Sequence, residues 1–300
     1  HIYKPSLAIN LLQRIALFST SGIGKDDAEE LARIKHFYCG GNGLKHGITA
    51  LSGNNITEIH EAHLDLLNRF TGLDTSNMNT IDGWSDLDSA KDWLVRYWQL
   101  EPVELEKELK KLQYEGGFIF RYKKGDTSNP QYIFIKDQYT TTDYVLTKHD
   151  LGKVNIQLDN YSELLTKMSV DYQRHPAKSG KYLFNQVASN SSSRTNYNIV
   201  DVKLKSYVRP EIPTTPSTNP NDDFYTYYNN IYGDIKVNIS GTIVNPKFYD
   251  IDIGDTVEFN NMYPEKAFGR SFTDVVYMIT SLSRTMGSLR FTAREIGAIE

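Results

Sequence analysis

The apolar positions of this chain change period once, near residue 116. Ahead of that point they recur three or four apart, the spacing of one face of a helix. Leu7, Leu11, Ile15 and Phe18 form a first stripe after Pro5, a residue tolerated in a first helical turn. Ala28, Leu31 and Ile34 follow Asp26 and Asp27, which suit a helix start. Ile59, Ala62, Leu66 and Phe70 make a third stripe, Leu87, Ala90, Leu94 and Tyr97 a fourth, and Leu105, Leu109 and Leu112 a fifth. The stretches "YCGGNGLKHG" and "TGLDTSNMNTIDG" between them are loop chemistry.

Beyond Gly116 the period is two. Phe118, Phe120 and Tyr122 alternate with Ile119, Arg121 and Lys123, and "KKGDTSNP" turns the chain into a partner strand at 132–136. The pattern predicts further strands near 143–148, 153–158, 163–173, 181–187 and 197–206. In the third of these Leu164, Thr166, Met168, Val170 and Tyr172 share one face; Arg174, His175 and Pro176 end the ladder, and Ser179-Gly180 turns the chain toward Tyr182 and Phe184. Four of the ten prolines fall in 209–223, which reads as an exposed linker or long loop. After it Ile235, Val237, Ile239, Gly241 and Ile243 line one face of a strand. "FYDIDIGDTVEF" reads as strand, tight turn, strand, and 275–283 pairs with 288–296 across "RTMG". The fold class expected is therefore α+β: a helical N-terminal region followed by antiparallel β regions, the last one small-barrel-like. The divisions fall at 1–85, 86–208, 209–223 and 224–300.

Composition narrows the functions this organisation serves. With 33 Lys+Arg against 37 Asp+Glu the net charge is −4, so no global field attracts nucleic acid or an anionic membrane. Any basic site must be local, as in "VDYQRHPAKSGKY" at 170–182. Cys39 is the single cysteine, which excludes an internal disulfide framework and a Cys-based zinc site within one chain. The apolar runs are short, and the chain opens with neither methionine nor a cationic apolar leader, so the expectation is a soluble protein, a fragment or a processed product. Twenty tyrosines suit exposed β-surfaces and broad contacts, because Tyr carries apolar area with a polar tip.

Candidate chemistry fails its spacing tests. "HEAHLD" at 60–65 sets His60 and His63 three apart, one residue short of the H-E-x-x-H that aims two imidazoles at one zinc, and so predicts a solvated helix face. Cys39 lacks a visible base and oxyanion site, and "SGIGKDD" lacks the phosphate-loop register. No catalytic residue, cofactor or metal is expected. Residues 87–136 have the order of a winged-helix DNA reader, with Arg121, Lys123 and Lys124 on the wing. The would-be recognition helix, however, sets Glu104, Glu106, Glu108 and Glu115 against Lys107, Lys110 and Lys111, whereas a helix entering a phosphate-lined groove should be basic.

Taken in order, these elements resemble the baseplate or tail-hub proteins of tailed bacteriophages over about residues 100–300. The residues that carry the likeness are Gly117 and Phe118, Val170 and Tyr172, Pro176 with Gly180 and Tyr182, and Ile253, Gly254, Asp255 and Val257. The resemblance implies a structural virion protein of a phage tail that joins tail tube to spike or fibres as a ring homo-oligomer, commonly a trimer. The charge balance and the short apolar runs, for their part, lead us to expect no sequence-specific nucleic acid and no stable membrane insertion. The resemblance makes 170–182 the far turn of a long hairpin, with Tyr172, Arg174, His175, Lys178 and Tyr182 at a subunit contact. The charge-balanced helix carries its own prediction. DNA association should be weak and should vanish as salt is raised through about 0.2 M. A salt-resistant complex abolished by Arg121→Ala and by Lys124→Ala would restore the DNA reading.

Overall fold

The computed structural model describes residues 46, 54–73, 78, 81–97, 103–123, 130–136, 138–160, 164–175, 180–197, 201–206, 224–262 and 265–299. The two helices expected before residue 45, Cys39, Lys124, Lys178 and the 209–223 segment lie outside them.

Helix α1 (Ile59–Thr71) opens where extended Glu58 and Thr57 turn their backbone N–H groups onto the Glu61 carboxylate, at 3.1 and 2.9 Å, and it ends at Gly72 in the left-handed region. Its buried face differs from the expected stripe: Leu64 and Leu67 are buried with His60 and His63, whereas Phe70 is exposed. Helix α2 (Trp84–Ala90) covers only half of the fourth stripe. At Lys91 the backbone becomes extended, and Trp93, Val95 and Tyr97 pack at alternate positions instead. Bulky aromatic and β-branched residues favour that path, and the strand-like segment is held to the start of α1 by Ile59 N–H to Trp93 O (3.0 Å) and Val95 N–H to Thr57 O (2.8 Å). Helix α3 (Leu105–Gly116) carries Glu–Lys pairs on its outer face, buries Leu112, and stops at left-handed Gly117.

Strands β1 (Phe118–Tyr122) and β2 (Pro130–Phe134) form the expected hairpin. Strands β3 (Tyr144–Thr147), β4 (Leu151–Leu158), β5 (Lys167–Arg174), β6 (Tyr182–Ser189) and β7 (Asp201–Lys205) follow. A short helix α4 (Ser191–Tyr197) occupies the connection between the strands expected at 181–187 and 197–206, overlapping the second by one residue. Helix α5 (Phe224–Tyr232) corrects a second reading, that residues after 223 are β. Phe224, Tyr225, Tyr227, Tyr228 and Ile231 are all buried, a helical spacing in residues whose intrinsic preference is for strands.

Strands β8 (Val237–Ile243), β9 (Thr256–Asn260), β10 (Lys266–Ala267), β11 (Arg270–Ser271), β12 (Val275–Thr285) and β13 (Ser288–Ala298) complete the chain. β8 and the β12–β13 hairpin match expectation. "FYDIDIGDTVEF" does not, because only its second half is a strand. Pro246 starts a 3-10 turn capped by the Asn245 side chain, and residues 252–255 form a tight turn in which Asp255 Oδ2 accepts from Asp252 N–H at 2.7 Å.

The architecture is α+β and mostly β. A curled half-barrel sheet runs β3-β9-β12-β13-β8-β4, antiparallel except for the β3–β9 pair. Its core is built from Phe259, Tyr277, Ile279, Ile239 and Phe291, with the Phe259 and Phe291 rings stacked 5.9 Å apart. A second core gathers α1, α2, α3, the β1–β2 hairpin, α5 and one face of the three-stranded sheet β6-β5-β7. Each core draws on residues from both sides of 209–223.

Where the cores meet, the Arg121 guanidinium on β1 donates to Asp252 Oδ2 at 2.9 Å, to Ile253 O at 2.7 Å and to Gln131 Oε1 at 2.9 Å. Gly254 lies against Ile133 of β2 with φ 93°. A Cβ at that glycine would lie 2.5 Å from Ile133 Cδ1. Gly254→Ala is therefore expected to destabilise the chain by about 1–3 kcal/mol in urea unfolding, from backbone strain and overlap together. An unchanged midpoint would remove this contact from the account.

Candidate subunit-contact surface

The β5–β6 hairpin grows out of the helical core. Met168 and Val170 are fully buried, and outward from them Tyr172 stacks on Phe184 across the ladder, with ring centroids 5.6 Å apart and planes 25° from parallel. Arg174 pairs with Tyr182, and His175 N–H donates to Lys181 O at 2.8 Å, the last described rung before residues 176–179. Gln173 takes φ 53° and Gly180 φ 69°, so both arms bend near the tip. Tyr172, Arg174, His175 and Tyr182 are half-buried, and Arg174 is near enough to Tyr97 to perturb it electrostatically. Four of the five expected contact residues thus share one end of the hairpin and pack partly on their own subunit.

Sequence reasoning missed the opposite face of this sheet. Leu183 and Val187 project from β6 away from the core and are exposed, beside Asn185, whose amide bonds Ser169 and Asp171. β6 is also an edge strand, paired only with β5 among the described residues. The signal was the alternation within "YLFNQVAS", where both alternating faces carry apolar residues.

The winged-helix candidate loses its wing. Arg121 is committed to Asp252 and the Ile253 carbonyl, and Lys123 pairs with Asp82 at 2.6 Å.

His60 and His63 do not lie on a solvated face; both are buried, at 2% and 0% exposure. They turn to different partners. Phe120 N–H donates to Gln113 Oε1 at 3.1 Å, which directs the Gln113 amide NH2 at His63 Nε2, 3.2 Å away. His63 Nδ1 must then carry the proton, shared with Tyr132 Oη at 2.9 Å. A second ring proton would meet the Gln113 donor head on. Burial, aided by the nearby His60, pushes the His63 pKa down to about 3. His60 Nε2 instead faces two carboxylates, Asp88 at 3.0 Å and Glu58 at 3.2 Å. The hydrogen bond from His60 lowers Asp88, whereas burial, with neighbouring Glu61, Asp88 and Asp92, lifts Glu58 to about 7 against the pull of His60.

No family model matches the chain, and no curated protein matches it in sequence. Among solved structures it is similar to a chain of the virion of a native gene transfer agent particle, at 15% identity and a TM-score of 0.52. That match covers 96% of this chain and 56% of the other, so the chain spans little more than half the length of that virion protein. It establishes a shared fold. Weaker likenesses join it to a tail protein from Neisseria meningitidis MC58 (10% identity, TM-score 0.44, 81% and 68% coverage). Another is a prophage tail protein from Listeria monocytogenes EGD-e (12%, 0.37, 67% and 55%). Neither of these two defines the fold by itself.

The buried imidazole carries a pH prediction. The native chain leaves His63 unprotonated down to about pH 3, while the unfolded chain protonates it near its ordinary 6.5, so acid favours unfolding across that window. Glu58 acts with opposite sign between about 4.5 and 7, where the native state holds the extra proton. The loss should therefore emerge below pH 4.5, at up to about 1.4 kcal/mol per pH unit, and His63→Gln should flatten it. An equally steep acid limb in that variant would clear His63.

Proposed function

We propose that this chain is a structural component of a phage-type tail, a baseplate hub or tail-tip subunit in a virion, joining tail tube to spike or fibres. The observation that carries the reading is the fold shared across 96% of the chain with a gene transfer agent virion protein. The surface supports it. Strand β6, beside exposed Leu183 and Val187, is an edge of its sheet, and the half-barrel ends in β3 and β4; none of these edges is paired further among the described residues. Such edges invite pairing with another chain, and a closed ring of copies covers them.

The oligomer proposed is a homo-oligomeric ring, with Tyr172, Arg174, His175, Lys178 and Tyr182 at or near the contact. No catalytic step enters this reading, and DNA recognition is disfavoured by the engagement of Arg121 and Lys123. Electron microscopy of the parent particle, with native mass measurement of the purified chain, tests it. Leu183→Lys with Val187→Lys should lower the assembled mass without altering the melting temperature, whereas Tyr172→Ala should lower the melting temperature itself. A particle holding this chain as a lone monomer, its 170–182 hairpin in solvent, would sink the proposal.

A further inference from the structure

We propose that Glu58, His60 and Asp88 bind one first-row divalent transition-metal ion, with Zn2+ the representative species. The inference stands independently of the assembly reading. His60 and His63 fail as a zinc pair because His63 is committed to Tyr132 and Gln113. His60 is free of that network and meets its carboxylates from two different elements. Glu58 is the extended residue before α1, His60 stands in the first turn, and Asp88 comes from α2.

The geometry suits an ion. The His60 nitrogen and one oxygen from each carboxylate all lie within 4.8 Å of one another, with the imidazole 3.2 Å from Glu58 and 3.0 Å from Asp88. Bonds of about 2.0–2.2 Å from a tetrahedral centre set neighbouring ligand atoms roughly 3.3–3.5 Å apart, so the imidazole already stands within tenths of an ångström of the spacing required to each carboxylate, and the two carboxylates close on one ion by rotation of their side chains. The alternative, hydrogen bonding alone, is poorly matched. A neutral His60 offers at most one proton at Nε2 to two carboxyl groups, so without an ion one of the two must hold a proton of its own to bond there. A divalent ion in that position neutralises both. Glu61, a neighbouring carboxylate, is engaged with Thr57, the Glu58 backbone and His46, which leaves Glu58 as the donor.

The donors are also held in place. The His60 ring is buried edge-on against Trp84, with centroids 5.1 Å apart, and Glu58 bridges to the extended segment at Leu94. Asp88 is exposed, so water can complete four-coordination from its side. One imidazole with two carboxylates suits Zn2+ or Mn2+ better than Ca2+, which prefers a cage of oxygens. An ion here ties the start of α1 to α2 and stabilises the helical core from its surface. The spacing Glu58-x-His60 with a distant Asp88 belongs to no linear motif, which is why the sequence offered no signal.

The test uses the full chain stripped by a chelator and titrated with ZnCl2 by calorimetry, with Co2+ absorption as a second readout. Wild type should bind one ion through these residues and gain melting temperature as the ion is added. Asp88→Asn, an exposed change that leaves the core intact, should weaken binding by at least about tenfold and abolish the thermal gain. Asp86→Asn, on the same helix but paired with Lys136, should do neither. Absence of Zn2+ binding in wild type overturns the proposal. So does binding of equal strength in Asp88→Asn and Glu58→Gln, since the ion would then be held elsewhere.

Discussion

The two cores depend on one guanidinium. Arg121 projects from the β1–β2 hairpin and satisfies Asp252, the Ile253 carbonyl and Gln131 together, while Gly254 lets the turn close against Ile133. A rigid planar fork holds a carboxylate, a carbonyl and an amide oxygen in one fixed geometry, which the compact, rotating ammonium of a lysine does not pre-set. Burial pushes the Asp252 carboxyl upward, yet the hydrogen bonds from Arg121 and the Ile253 backbone leave it below its ordinary value. The ion pair is thus half-buried and hydrogen-bonded on both sides, the condition under which such a pair contributes rather than costs. A second clasp works the same way, with Arg294 of β13 reaching Asp159 after β4 and the Ile231 carbonyl of α5.

Around this joint the polar interior is organised by aromatic residues with a hydrogen-bonding end. Tyr227 and Tyr228 of α5 are buried, yet their hydroxyls reach the carbonyls of Gly117 and Tyr114 at the end of α3. Tyr132 does the same for His63. The tyrosine-rich composition therefore serves the inside of the helical core as much as any outer β-surface, since a ring with a polar tip can satisfy a helix end without leaving the apolar layer.

Much of the plan was legible because it is local. The change of period at Gly116, the buried face of β8, the β12–β13 hairpin and the alternation from Leu164 to Tyr172 each depend on spacing within one element. What escaped depends on a partner. The fourth stripe breaks at Lys91 because the following residues pair with the start of α1; α5 is a helix because its aromatic stripe meets α3; His60 and His63 are buried because Asp88, Tyr132 and Gln113 lie far along the chain. The "Ile-Gly-Asp" turn was readable as a turn but not as a joint, for the same reason. Of the contact surface, the hairpin itself was visible, whereas the exposed outer face of β6 emerged only once the buried side was known.

The half-barrel has a consequence for how the chain is made. β4 is paired with β8 and β3 with β9, so Tyr144 meets Val257 and Leu158 meets Val237 across long stretches of intervening sequence. During synthesis β3 and β4 leave the ribosome with no neighbouring strand on which to close, and they stay open until residues 237–260 follow. Contacts of such long separation are slow to form and expose strand edges meanwhile. A nascent chain of this design carries the open edges of β3 and β4 through the whole interval in which residues 159–236 are made, which is the stretch of synthesis most exposed to aggregation.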